Sequence, residues 1–188
     1  MFIVTGAPRS GTGYAAKVFQ KAGYDVRHEY YGREGICSWL HLYDLGKVYW
    51  LDTAYKLRDY DVILHQLRDP LKTISSMTAI SDQAVEIIER IIGRKVAGGM
   101  LRRAMSYWIE LTERAAKRAQ LWYRVENMMN VWTMIEEKIN IRRSVFPGVD
   151  KKTNARDHRD YTVGDLYATD REMADRIIEM ANYYGYNL

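Results

Sequence analysis

Cysteine is almost absent from this sequence, with Cys37 the only one among 188 residues. No intrachain disulfide can therefore form, and a zinc cluster built from several cysteines is excluded. Proline is scarce as well, at 3 residues, and the 13 glycines follow no repeat, which excludes a collagen-like chain. No apolar run approaches the ~20 residues that cross a bilayer as a helix. The amino terminus opens directly into an apolar segment with no basic region before it, so no signal peptide is evident. These absences predict a soluble protein of a reducing compartment, most simply the cytoplasm, with no membrane partner. What the chain does have is apolar mass. Hydrophobic residues make up 47% and charged residues 28%, too apolar for a disordered chain and enough for the core of one domain spanning 1–188.

The formal net charge is +4 and the pI is near 9.0, a balance compatible with an anionic ligand or with nucleic acid. Bases and acids interleave throughout, however, as in Arg171-Glu172-Met173-Ala174-Asp175-Arg176. That pattern reads as solvated surface, and no nucleic-acid partner is expected.

Phe2-Ile3-Val4 reads as a short buried strand bounded by Gly6, Pro8 and Gly11. Thr12 to Ala22 reads as a helix ended by Gly23, Tyr24 to His28 as a second strand, and Val62 to Leu67 as a third. A helix is expected from about Pro70, since proline is favourable in a first turn. Val85, Ile88 and Ile92 share a helical face that Gly93 or Gly98-Gly99 should end. Leu101, Ala104, Trp108, Leu111 and Ala115 recur at three and four residues, the clearest amphipathic helix in the chain. Leu121 to Glu126 reads as another strand, with a helix near 128–139 after it. Phe146 to Thr162 reads as a long polar loop. The last helix carries a capping-box signature, Thr169-x-x-Glu172, and an inner face of Met173, Ile177, Met180 and Tyr184. Short apolar strands alternating with helices predict an α/β fold in three layers, a central parallel sheet flanked by helices.

The sharpest feature is Gly6-Ala7-Pro8-Arg9-Ser10-Gly11-Thr12, between the first strand and the first helix. A loop there aims backbone N–H groups and the positive end of a helix dipole at whatever fills the turn. Arg9 adds a fixed charge, and Ser10 and Thr12 add hydroxyl donors, so the loop suits a phosphate or sulfate. It is not a Walker A loop. The glycine spacing fits G-x-x-x-x-G-K-[ST], but Thr12 and Gly13 stand where the Lys and Ser/Thr would be. That disfavours a kinase.

The stretch Gly6 to Tyr14 resembles the 5′-phosphosulfate loop of sulfotransferases that use 3′-phosphoadenylyl sulfate (PAPS), except at Gly13. Arg68-Asp69-Pro70, with Ser76 eight residues beyond Arg68, resembles that family's second signature. Arg124-Val125-Glu126-Asn127-Met128 resembles a later strand end, and Asn154-Ala155-Arg156-x-His158 the loop that closes over the cofactor. The resemblance implies a P-loop NTPase-like fold and sulfuryl transfer from PAPS to a hydroxyl or amine, leaving the 3′,5′-bisphosphate (PAP), with no metal. It implies cofactor binding by Pro8, Arg9, Ser10, Gly11, Thr12, Gly13, Tyr14, Arg68, Ser76, Asn154 and Arg156, with Arg68 and Ser76 on the 3′-phosphate and Tyr14 stacking on adenine. Two other readings stay open: a kinase-like transferase on the same fold, and a non-catalytic binding member.

Arg68 also makes sense unaided, because an Arg at the carboxyl end of a parallel strand points into the crevice where such sheets bind ligands. The alternative for it is an ion pair with Asp69 or another acid. Ser75 and Ser76 are adjacent, so only spacing selects Ser76. Arg9 is the candidate for the bridging oxygen of the leaving group. For the base that takes the acceptor proton, His28 and Glu29 both qualify at the end of the second strand, Glu29 being favoured because Gly35-Ile36-Cys37-Ser38-Trp39 resembles a segment near an acidic base in bacterial members. His65, inside a strand, reads as a hydrogen-bonded core histidine, and His158 as a loop contact to phosphate. A small-molecule or carbohydrate acceptor would draw on the dense aromatics Trp39, Tyr43, Trp50 and Tyr55 and on the helix carrying Trp108.

Overall fold

The computed structural model of the protein describes residues 1–43, 59–141, 145–149 and 158–188. Five strands form one all-parallel sheet: β1 (Phe2–Thr5), β2 (Val26–His28), β3 (Gly35–Cys37), β4 (Val62–Leu67) and β5 (Leu121–Arg124), in the order β2-β3-β1-β4-β5. Seven helices accompany them among the described residues: α1 (Thr12–Lys21), α2 (Pro70–Met77), α3 (Asp82–Ile92), α4 (Met100–Ala116), α5 (Trp132–Lys138), α6 (Val163–Thr169) and α7 (Arg171–Tyr183).

The strands are short and apolar because both faces are covered. Phe2 and Val4 point to one side, where they meet Val18 and Phe19 of α1 and Trp132 and Ile135 of α5. Ile3, Ile36 and Ile63 point to the other, where Ala115 of α4 packs. Beyond that layer, α2, α3, α4 and α7 close a second cluster around Ile74, Ile88, Trp108 and Ile177. The first core is dominated by rings. Phe19 lies 5.1 Å from Phe2, 5.4 Å from Tyr24 and 5.1 Å from Trp132, centroid to centroid.

Sequence order explains where the site must fall. From β1 the chain moves to β2 and β3 on one side of the sheet, then crosses to β4 on the other side of β1. The connections leaving β1 and β4 therefore run in opposite directions, and the crevice between their carboxyl ends is where such sheets bind ligands.

Several boundaries differ from the sequence reading for local reasons. Tyr24 starts no strand, because its N–H instead closes α1 on the Phe19 carbonyl at 2.9 Å, with Gly23 at φ 88°. The strand after α4 stops at Arg124 and tightens into a 3₁₀ turn over Val125–Asn127, so α5 begins only at Trp132. Gly93, at φ 79°, is the residue that ends α3. The capping box lies elsewhere than expected. Thr162 and Asp165 exchange side-chain bonds at the start of α6, Thr169 Oγ1 donates to the Asp165 carbonyl, and Asp170 caps α7. Strand β3 was not anticipated, since three residues with a glycine give no period to read.

Phe19→Ala should lower the unfolding free energy by about 3–5 kcal/mol, the usual cost of emptying a buried aromatic position. Urea denaturation of the two proteins measures this directly.

Candidate functional site

The loop from Gly6 to Gly11 is shaped by close backbone approach. A Cβ on Gly6 would lie 2.3 Å from the Gln66 carbonyl oxygen and 2.6 Å from Ser10 Oγ, so only glycine fits. Gly11 stands at φ 94° as the N-cap of α1, with no side chain capping the helix. The first N–H groups of α1 are thus left for a ligand. From the neighbouring strand, Gln66 Nε2 donates to the Ser10 carbonyl at 2.9 Å, and Tyr123 OH in turn donates to Gln66 Oε1 at 2.8 Å. One residue past β4, Arg68 Nη1 donates to the Arg9 carbonyl at 3.2 Å. The first and second motifs therefore touch.

Between them opens a cleft of about 320 Å³, within the range of small-molecule sites. Pro8, Arg9, Gly11, Thr12, Gly13 and Tyr14 form one wall, and Arg68 and Ser76 another. His28 and Trp39 border it from the β2–β3 side. Ile80, Ser81, Gln83 and Ala84, at the corner between α2 and α3, complete it and were not anticipated from sequence. Their only signal there was Ser81 as the cap of α3, accepting from Ala84 N.

The structure separates Ser75 from Ser76. Ser76 lines the cleft, whereas the Ser75 hydroxyl accepts the Tyr161 N–H at 2.9 Å and ties the segment 158–162 to α2. Asp69 is used as the cap of α2, accepting from Lys72 N at 2.9 Å with Pro70 behind it, so it is not the partner of Arg68. Glu126 holds the turn from below, accepting Asp69 N at 2.9 Å and Tyr186 OH at 3.0 Å.

Not every expected residue reaches the cleft. Ser10 Oγ faces Gly6 beneath the loop, buried and with no hydrogen-bond partner. Asn154, Arg156, Trp50 and Tyr55 lie outside the described residues. Trp108 is 2% exposed and belongs to the core rather than to an acceptor pocket. His158 contacts its own neighbours, the Arg159 carbonyl and Asp160. His65 is a core histidine but not a hydrogen-bonded one, since neither ring nitrogen has a partner. Burial pushes its pKa down to about 3, so it is neutral at pH 7.

His28 and Glu29 divide the position at the end of β2. His28 borders the cleft, with Nε2 3.3 Å from Thr12 Oγ1 and 3.5 Å from Glu29 Oε1. Glu29 stands behind it, 15% exposed at its side chain, with Oε1 buried and lacking a hydrogen bond. Burial raises the Glu29 carboxyl to about 7, and a hydrogen bond from Ser38 offsets this only in part. Burial also holds the His28 imidazole below its ordinary value, which keeps it neutral at pH 7. Among the described residues only Arg9, Glu29 and Asn140 are non-glycine residues with φ in the left-handed region, at 70°, 61° and 55°. Two of these three stand at the cleft or directly behind it, where strained backbone tends to be kept for function.

No family model and no curated protein matches this sequence. The residues of the cleft themselves define its chemistry. They offer two guanidiniums, free helix N–H groups, hydroxyls of Thr12 and Ser76, and a neutral imidazole backed by a carboxyl. That set holds a polyanion at one side and can accept a proton at the other.

Glu29 binds its proton more tightly folded than unfolded, so the folded state loses stability as pH rises from about 4.5 towards 7. Glu29→Gln removes this loss. The stability difference between the variant and the wild type should grow in the variant's favour across that window and level off above it, reaching about 2–3 kcal/mol. Denaturant melts at a series of pH values give the comparison.

Proposed function

We propose that the protein is a sulfotransferase that moves a sulfuryl group from PAPS to a hydroxyl or amine, on a P-loop-type fold. One observation carries the reading. Arg68 and Ser76, at the spacing that resembles the family's 3′-phosphate grip, line the same cleft as the Gly6–Tyr14 loop, and Arg68 hydrogen-bonds that loop. A cleft that brings two arginines and a helix N-terminus together suits a nucleotide carrying more than one phosphate group.

The residues present fit that ligand. Arg9 and the unmatched N–H groups at the start of α1 would hold the 5′ end, with Thr12 Oγ1 beside them. Arg68 and Ser76 would hold the 3′-phosphate, the fork of the guanidinium matching its oxygens. Tyr14 borders the cleft and also packs against the core, which fixes its ring as one face for adenine. Bound PAPS supplies an activated sulfuryl group with a phosphate leaving group. Arg9 neutralises the charge that develops on departure, though a guanidinium, protonated at all working pH, does not give up a proton to it. His28, neutral at pH 7 and bordering the cleft, takes the acceptor proton rather than the sequence-favoured Glu29, whose Oε1 stands behind it 3.5 Å from Nε2. Trp39 at the rim offers an apolar face for the acceptor.

Thermal-shift titration with PAP against ADP and AMP tests this. PAP should raise the melting temperature most, by an amount equivalent to about 2.7 kcal/mol at a hundredfold excess over its Kd. Arg68→Ala should weaken PAP by about 10–100-fold and abolish its advantage over ADP, the loss of one charge-assisted phosphate contact. Preference for ATP with Mg²⁺ would overturn the reading in favour of a kinase-like transferase. PAP binding with no transfer to any of a panel of hydroxyl and amine acceptors would leave a binding module.

A further inference from the structure

The carboxyl behind His28 has a polar support of its own. Ser38, the residue after β3, is fully buried, and its Oγ lies 2.9 Å from Glu29 Oε2. The same oxygen lies 2.7 Å from Nδ1 of His41, itself only 3% exposed. It also receives the backbone N–H groups of Leu40 and His41, at 3.1 and 3.3 Å. A hydroxyl has a single proton, so it can donate to Glu29 or to His41 but not to both.

We propose that Ser38 and His41 are positioning residues for the His28–Glu29 pair, with His41 Nδ1–H donating to Ser38 Oγ and Ser38 O–H donating to Glu29 Oε2. This rests on the reading of that pair as the proton-accepting group. The arrangement has a direction. A donor at His41 Nδ1 leaves the Ser38 proton nowhere to go but the carboxylate. Oε2 is thereby fixed, and Oε1 is left facing His28. The Glu29 backbone, at the uncommon left-handed φ of 61°, is held by its N–H donating to the Cys37 carbonyl at 3.1 Å, which sets the side chain beside Ser38.

His41 is held for this task. Tyr31 packs edge-on to its ring at 5.1 Å, and Tyr60 OH donates to its carbonyl at 3.0 Å. Tyr31 and Tyr60 hydroxyls meet at 3.1 Å. Burial, and after it the charge of His28, push the His41 pKa down to about 4, so it is a neutral hydrogen-bonding group rather than a cation. The other titratable neighbours of Glu29 among the described residues are His28 on β2 and Cys37 on β3. Cys37 stays a thiol, raised by burial first and by Glu29 second. Ser38 is therefore the group that opposes the desolvation of the carboxylate.

The test needs neither nucleotide nor acceptor. The ¹³C carboxyl resonance of Glu29, identified by its loss in Glu29→Gln, is followed against pH in the whole chain. Its midpoint should lie near 7 in the wild type. In Ser38→Ala it should rise by roughly one pH unit, because a hydrogen bond to the charged form is gone. His41→Ala should move it the same way by less, and His41→Asn, whose amide can donate to Ser38 Oγ, should bring it back. In the wild type, ¹⁵N spectra should show His41 as the Nδ1–H tautomer, a readout that does not depend on any variant folding. An unchanged Glu29 midpoint in folded Ser38→Ala, or a His41 protonated only at Nε2, would overturn the proposal. Failure of PAP to bind would leave both readouts intact, so the two ideas fail separately.

Discussion

Two side chains, Gln66 near the end of β4 and Arg68 just past it, hold the first loop in place, and the site depends on that hold. Gln66 and Arg68 each donate to a carbonyl of the loop, at Ser10 and at Arg9. They can do so only because β1 and β4 pair in parallel with Thr5 opposite His65. A one-residue slip would turn Gln66 to the other face of the sheet and carry Arg68 away from the Arg9 carbonyl. Packing on both faces excludes that slip, since it would exchange the side chains that β4 presents to the Val4–Leu64 core and to the Ile3–Ile63 core. Core packing thus fixes a register, and the register fixes where two cations stand. Gly6 is the complement of this arrangement, because the Gln66 carbonyl approaches it too closely for any side chain.

The cleft is electrostatically divided. At the loop and at the end of β4, positive charge and N–H groups converge, and Arg9 is held at φ 70° to keep its place there. At the β2–β3 side, burial keeps His28 and His41 neutral at pH 7 and raises the Glu29 carboxyl to about 7, where it exchanges a proton readily. A low dielectric makes the fixed charges of the first side more effective and leaves a proton acceptor on the second. Glu126 and Ser75 do not enter the cleft, yet both steady its walls, one through Asp69 N and the other through Tyr161 N.

Much of this was legible from local pattern. The loop from Gly6 to Thr12, the strand from Val62 to Leu67 and the helix opening at Pro70 follow from glycine placement, an apolar run and a proline in the first turn. Arg68 and Ser76 could be named because their eight-residue spacing resembles a known signature that runs from the end of β4 into α2. The polar row of His28, Glu29, Ser38 and His41 could not be assembled the same way. It depends on β2 and β3 pairing with His28 opposite Cys37, and β3 is three residues long with no periodic signal. His41 is separated from Ser38 by the apolar Trp39 and Leu40, so nothing in the sequence marks the two as a unit. His65 shows the opposite limit: its burial was readable from its strand, but the absence of partners for both nitrogens emerges only once the opposing helices are placed.

The two sides of the cleft also constrain how a transfer reaction could respond to pH. Arginine stands at position 9 where many sulfotransferase-like loops carry lysine, and guanidinium does not titrate in the working range. Arg68 is likewise permanently charged. On the proposed reading, the protein's hold on an anion is therefore set by fixed charges and hydrogen bonds of its own that do not vary between pH 5 and 9. The groups that do change protonation state near that range all lie on the other side, at His28 and the carboxyl behind it. On the proposed reading, the protein's own contribution to pH dependence arises where a proton is accepted, and the hydroxyl of Ser38, fully buried and bonded to Glu29 Oε2, is the side chain placed to tune it.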